Sequence, residues 1–226
     1  VDMPRIKRID VGGEIYHVIN RANARVKIFD NNDDYKLFEG ILEEAVKKFD
    51  MRLLAYCVMP NHFHLILYPK QDGDLSRFMG WLTNTHTRRW HTIKNTIGQG
   101  HLYQGRYKSF ICQKDNYFLA LVCYVERNAK KAHLCRKAQD WKWSSLYRRE
   151  KGSLNQKKIL SVWPVDVPKN YLLLVNKVQD KDDEELIERS IVKSNPFGNM
   201  DWIEKAVERF GLEQTLRKVG RPKNGG

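Results

Sequence analysis

Residues 51–68 read MRLLAYCVMPNHFHLILY, two runs of β-favouring apolar residues broken only by Pro60-Asn61. Proline cannot extend a strand ladder, and Pro-Asn is turn chemistry, so the chain reverses there. Two strands joined by so short a turn lie antiparallel, because a parallel pair needs a crossover of a dozen or more residues. The fold therefore contains an antiparallel hairpin, with strands expected over 51–59 and 62–68. Along a strand, side chains two residues apart share a face. His62 and His64 stand side by side on one face, while Phe63, Leu65 and Leu67 line the other. Such a pair can offer two nitrogens to a metal ion, or it can be two histidines on a polar sheet face. Both readings are open on this fragment alone.

The chain around the hairpin alternates strand and helix signals. GEIYHVINR (13–21) follows a Gly-Gly turn and is rich in β-formers. Residues 31–49 carry apolar side chains at 35, 38, 41, 42, 45, 46 and 49, which is helical spacing, with Asn and Asp available as caps. Residues 73–90 repeat that spacing through Leu75, Phe78, Met79 and Leu82. A fourth strand is expected at about 104–112 and a further helix over 114–132. The order β-α-β-β-α-β-α predicts an α+β protein, a ferredoxin-like antiparallel sheet with helices packed on one face. Residues 4–150 form this unit. Residues 151–226 read as a small helical C-terminal appendage, with helices near 180–193 and 199–211 and a basic, breaker-rich tail.

Forty Lys and Arg against 27 Asp and Glu give a net charge of +13, which favours a polyanionic partner, nucleic acid before an anionic membrane surface. No apolar run approaches the roughly 18 residues of a spanning helix. Cys57, Cys112, Cys123 and Cys135 have no paired spacing, which suits reduced thiols and argues against a structural zinc site. The N-terminus carries no secretory signal, and Val1-Asp2 reads as a remnant ahead of a natural start at Met3. A cytoplasmic, nucleoid-associated protein is expected.

On the helix over 114–132, Tyr117, Leu121, Tyr124 and Asn128 fall on one face, with Tyr124 and Asn128 one turn apart. Taken alone, this is better explained by a phenol hydrogen-bonding at the edge of the core. Beside His62 and His64, the Asn128 amide oxygen completes a three-ligand set with open positions. A hard divalent cation such as Mg2+ or Mn2+ would fill those with phosphate oxygens and water.

At this point the sequence resembles a known family. YCVMPNHFHLIL, GRYKSF, the helix bearing Tyr124 and Asn128, and WKWSS occur in the order found in the single-tyrosine HUH transposases. The resemblance is strongest to the REP-associated tyrosine transposases of bacteria, and it extends to GGEIYHVINRANARVKIF and to NPFGNMDWIEKAVERFGLEQTLRKVGRPK. It implies the HUH endonuclease fold. It implies that His62 and His64 bind the metal with Asn128 as third ligand, and that Tyr124 is the catalytic nucleophile, leaving a 5′-phosphotyrosine and a free 3′-OH. It also implies a substrate: single-stranded DNA folded into the hairpin of a repetitive extragenic palindrome (REP), with a conserved foot at its base. This chain departs from the family at Ala129, where a proline often follows the asparagine, so its helix is expected to run on. Tyr117 is the competing nucleophile.

Between 86 and 150 there are fourteen Lys or Arg against four acids. Arg21, Arg25, Arg106 and Lys108 are the expected phosphate contacts, with Arg5 and Lys7 as an N-terminal arm. Gly220-Arg221-Pro222-Lys223 is similar to a minor-groove hook, with Arg221 at its centre. Tyr103, Tyr107 and Trp90 are candidate stacking platforms for unpaired bases, against a core role that suits Trp90 above all, and Trp141 and Trp143 are assigned to packing. A domesticated hairpin-binding protein without significant cleavage is the alternative to an enzyme. A histidine-triad hydrolase would need a histidine at Ile66. Monomer or homodimer, and a tyrosine acting on its own or its partner's histidines, are both open.

Overall fold

The computed structural model describes residues 8–178 and 180–216. Four strands, β1 (Ile15–Arg21), β2 (Arg52–Met59), β3 (His62–Tyr68) and β4 (Lys108–Cys112), form one antiparallel sheet in the order β2-β3-β1-β4. Helix α1 (Asn32–Phe49) joins β1 to β2, α2 (Asp74–Lys94) joins β3 to β4, and α3 (Asn116–Lys131) follows β4. This is the expected ferredoxin-like sheet. Asn31 caps α1 by accepting from the backbone of Asp33 and Asp34, while the Asp34 carboxylate returns to Asn31 N–H, so the local signals that start the helix are met.

Helices cover both faces of the sheet, where the sequence pointed to one. On one side α1 and α2 bring Phe38, Leu42, Phe78 and Leu82 onto Tyr16, Val18, Phe63 and Leu65. On the other, Phe118, Leu121, Val122 and Val125 of α3 pack on Ile15, Ala55, Cys57, Ile66 and Phe110. The reason is visible in β2, which is buried at every position from Leu53 to Met59 instead of alternating.

The fourth strand is shorter than expected. Tyr103 bridges Ala22, and Gln104 N–H donates to Arg21 O (2.9 Å), so pairing with the end of β1 begins at the expected place. It is then interrupted at Gly105-Arg106-Tyr107 and resumes at Lys108.

Residues beyond 150 contribute to both cores, Ile159 and Ala206 to the first and a larger share to the α3 side. Four short helices, α4 (Ser145–Lys151), α5 (Leu154–Lys157), α6 (Tyr171–Asn176) and, near the end, α9 (Glu213–Leu216), accompany α7 (Lys181–Lys193) and α8 (Met200–Phe210), the two that periodicity predicts. Phe197 runs alongside β4, donating to Ile111 O and accepting from Gln113 N–H, both at 2.9 Å. Trp163, Tyr171, Val175, Ile187 and Phe197 join the second core. A Cβ on Gly198 would meet Trp202 at 2.5 Å and Gln113 at 2.6 Å, so only glycine fits that crossing. Cys57, Cys112 and Cys123 are buried and Cys135 partly so, all as free thiols. No described helix is long and apolar enough to cross a membrane.

Candidate active site

The β1–β3 register places Arg21 opposite His62 and Ile19 opposite His64, and Lys108 of β4 is opposite Ile19. Two cross-strand rows result, Arg21–His62 and Lys108–Ile19–His64, all on the face that α3 covers. The two imidazoles are 5.0 Å apart between centroids.

Each imidazole has one nitrogen engaged away from the other's open side. Asn61 Nδ2 donates to Arg25 O (3.1 Å), which leaves Asn61 Oδ1 as the atom facing His62 Nδ1 at 2.6 Å. An amide oxygen can only accept, so His62 carries its proton on Nδ1 and keeps a lone pair on Nε2. The turn residue of the opening motif thus sets the tautomer of the first histidine. His64 Nδ1 meets Nε2 of His17 at 2.9 Å, and His64 Nε2 faces the Asn128 amide nitrogen at 3.4 Å. Burial, with the Arg21 charge adding, lowers His62 to about 4, and burial holds His64 well below the ordinary histidine range. Both are neutral at physiological pH, as a ligand must be.

Helix α3 supplies the rest. It runs one turn past Asn128, through Ala129 to Lys131, as the missing proline implies. Tyr124 is 9 % exposed and stands edge-on to His64, ring centroids 6.0 Å apart. Burial pushes its phenol up to about 12, with Glu188 adding to the rise and Lys131 opposing it. Lys131 Nζ lies 5.9 Å from the Tyr124 ring centre and pairs with Glu184 and Glu188 of α7. Tyr117 packs edge-on against Phe197, 5.2 Å between centroids, in the second core.

The donor set suits a hard cation with open coordination. Among the described residues no cluster of three His, Cys, Asp or Glu could hold a metal, so an ion here would rest on the two imidazoles and the Asn128 amide. Neighbouring ligands on an octahedral ion are about 3 Å apart, close to the 3.4 Å between Asn128 and His64 Nε2. Turning the amide over would bring its oxygen to the same place. With no carboxylate among them, these ligands leave the ion its full charge for phosphate oxygens.

Of the basic residues singled out by sequence, Arg21, Arg106 and Lys108 line one cleft of about 450 Å3, with Asn20, Gln104 and, from α7, Ile191 and Val192. Arg25 sits exposed in a tight turn at φ 57°, held by the Asn61 bond to its carbonyl. Arg5, Lys7 and Arg221 lie outside the described residues. The proposed stacking residues are engaged elsewhere: Tyr103 O–H bonds His86 (2.6 Å), Arg8 covers the Tyr107 ring at 4.1 Å, and Trp90 donates to Ile28 O (2.9 Å). Trp141 and Trp143 are packing residues as expected, the first donating to Val58 O and the second stacked on Tyr35. Sequence reasoning missed His17, Asn61 and Lys131. His17 shares a strand face with Arg21, but only the β1–β3 register sets it beside His64.

A protein of Haemophilus influenzae named as a REP-associated tyrosine transposase is 19 % identical over 125 residues, covering 52 % of this chain and 71 % of that one. The fold is shared with a REP-associated tyrosine transposase solved bound to a REP hairpin, at 18 % identity and a TM-score of 0.56, over 73 % of this chain and 95 % of that one. Residues 11–128, just over half the sequence and the stretch that holds both histidines, Tyr124 and Asn128, match the profile described as Transposase IS200 like, and the chain belongs to that transposase family.

Proposed function

We propose that this transposase is a metal-dependent endonuclease and strand transferase that acts on single-stranded DNA folded into REP-type hairpins, through a 5′-phosphotyrosine intermediate. The observation that carries the proposal is the convergence of His62, His64, Tyr124 and Asn128 in one chain. The shared fold of the hairpin-bound neighbour supports the same substrate class.

His62 Nε2, His64 Nε2 and Asn128 Oδ1 would hold Mg2+ or Mn2+, which when bound draws charge from the non-bridging oxygens of the scissile phosphate. Arg21, Arg106 and Lys108 hold the backbone on either side and orient it. The Tyr124 phenol oxygen attacks phosphorus and loses its proton to solvent. The bond from phosphorus to the 3′ oxygen breaks, and that oxygen takes up a proton as the free 3′-OH. The ester energy is kept in the protein–DNA link, so a second 3′-OH can displace Tyr124 without any external energy source. Tyr124 and His64 meet within one chain, which supports action in cis.

The test is a labelled hairpin with single-stranded flanks, incubated with Mn2+ or Mg2+ and resolved on a denaturing gel. Wild type and Tyr117→Phe are expected to give a covalent adduct, and Tyr124→Phe to bind the hairpin without forming one. An adduct that survives in Tyr124→Phe and vanishes in Tyr117→Phe would reassign the nucleophile. Hairpin binding with no cleavage product under any ion would leave a binding protein, and this reading would be wrong.

A further inference from the structure

His17 is fully buried in the middle of β1, on the same sheet face as His64, with its ring centroid 5.1 Å from that imidazole and 4.8 Å from Phe110. Its Nε2 is 2.9 Å from His64 Nδ1, and its own Nδ1 is buried without a hydrogen-bond partner. An unmet polar atom in a strand interior is destabilising, so an apolar residue here would be the more stable choice.

One proton lies between the two rings, and its position decides what His64 shows to the site. If His17 donates, His64 carries its proton on Nε2 and points an N–H at the ligand position. If His64 donates, its Nε2 is bare. In either arrangement His17 Nδ1 goes unmet, so burial does not choose between them. The Asn128 amide nitrogen, 3.4 Å from His64 Nε2, meets a lone pair there and favours the second. His62 receives the same instruction from Asn61 Oδ1. The paired strands thus provide each imidazole with its own acceptor behind it.

We infer that His17 is a positioning residue that accepts the Nδ1–H of His64 and so turns a bare Nε2 toward the cation. The inference rests on the metal reading above and adds a residue that touches neither ion nor DNA. Groups that orient a metal-binding histidine from behind typically change ion affinity 10- to 100-fold when removed.

The experiment compares wild type, His17→Leu, His17→Gln and His62→Ala. Leucine fills the space without an acceptor, and glutamine places an amide oxygen close to where Nε2 stood. Mn2+ alone is titrated and the free ion followed by electron paramagnetic resonance. The ring nitrogens of His64 are read by 15N NMR on the metal-free proteins. Mn2+ affinity is expected to fall 10- to 100-fold in His17→Leu and to recover in His17→Gln. His64 is expected to be the Nδ1–H tautomer in wild type and His17→Gln, and to shift to Nε2–H in His17→Leu. A merely structural histidine would not move that signature. Loss of Mn2+ on His62→Ala with wild-type affinity in His17→Leu overturns the inference and leaves the metal reading standing. No Mn2+ binding by wild type overturns both. A wild-type His64 protonated on Nε2 overturns the inference by itself.

Discussion

The Tyr124 ring meets the His64 ring edge-on, at 79° between planes, while Glu126 two residues further on faces the other way into the protein. Those two orientations of one helix are linked. Glu126 accepts from Ser145 Oγ (2.5 Å) and from the Tyr171 hydroxyl (2.6 Å), and Ser145 Oγ in turn accepts from Tyr56 N–H of β2 (2.9 Å). Glu126 thereby locks the rotation of α3 relative to the sheet, and with it the aim of the phenol.

Glu126→Ala would leave the buried Tyr171 hydroxyl without an acceptor, while Ser145 Oγ still has Tyr56 O at 3.1 Å. The expected loss in urea unfolding is about 1–3 kcal/mol for that unmet group. Adduct yield should fall as well, since α3 is then free to turn. Glu126→Gln keeps an acceptor and should lose less of both. Full stability and adduct yield in the alanine variant would show that α3 is held by packing alone.

The two carboxylates from α7 bear on the nucleophile itself. Glu188 raises the Tyr124 phenol and Lys131 lowers it, around a value of about 12. Glu188→Gln removes a negative charge near a group that must shed a proton, so the phenol should titrate lower and the adduct form faster at pH 8–9. Lys131→Met should act in the opposite sense. The check is the difference in ultraviolet pH titration between each variant and the same variant carrying Tyr124→Phe. An unchanged phenol in both would place the α7 carboxylates too far away to matter.

Arg21, Arg106 and Lys108 share one cleft, so their loss should weaken hairpin binding together and without regard to sequence. A phosphate contact to single-stranded DNA contributes about 0.7 to the slope of log K against log salt, and to a duplex stem about 0.9. The double variant Arg21→Ala with Lys108→Ala should therefore flatten that slope by about 1.4 to 1.8. Binding loss with an unchanged slope would mean the two residues shape the cleft and do not touch phosphate.

How far the sequence carried is clearest at particular residues. The β2–β3 hairpin was legible because Pro60-Asn61 separates two runs of β-favouring residues and His62, Phe63 and His64 alternate at the start of β3. The helices of 11 residues or more were legible because each repeats its apolar stripe over three turns or more. Helices α4 to α6, of four to seven residues, were not, since one or two turns show no period and tertiary contacts hold them, such as Tyr171 on Glu126. The second helical layer was foreshadowed by the unbroken apolar run in β2, which alternation would have interrupted on a one-faced sheet. His62, His64, Tyr124 and Asn128 could be named from spacing and resemblance. Their partners could not, because the His17–His64 contact depends on how β1 registers with β3, and no local pattern encodes that.

The division of the chain at 150 makes a direct prediction. Trp163, Tyr171, Val175, Ile187 and Phe197 are buried against the sheet and α3. At about 1.5–3 kcal/mol for each fully buried side chain, their removal forfeits roughly 7–15 kcal/mol, as much as a whole domain's typical stability. A chain ending at Lys151 should therefore lose cooperative unfolding and bind a hydrophobic dye. A soluble, cooperatively folding truncation would establish 4–150 as an independent unit.

Acid should destabilise the fold through histidines that burial keeps neutral. His17 and His86 are lowered to about 3 and His62 to about 4, each chiefly by burial. In the unfolded chain they titrate near 6.5. Below that pH the unfolded state binds protons that the native state refuses, so stability is complete above about 6.5 and falls as pH drops toward the native values. The slope is about 1.4 kcal/mol per pH unit for each such histidine. His86 separates this effect from the active site, since it lies in the first core, stacked on Phe29 and bonded to Tyr103. His86→Phe keeps the stacking and removes the titration. Its unfolding free energy should start about 1–2 kcal/mol lower at pH 7, for the stranded Tyr103 hydroxyl. Between pH 6 and 4 its slope should then be shallower by about 1.4 kcal/mol per unit. Equal slopes in the two proteins would mean that His86 takes up its proton without unfolding, through an opening of α2 over the first core.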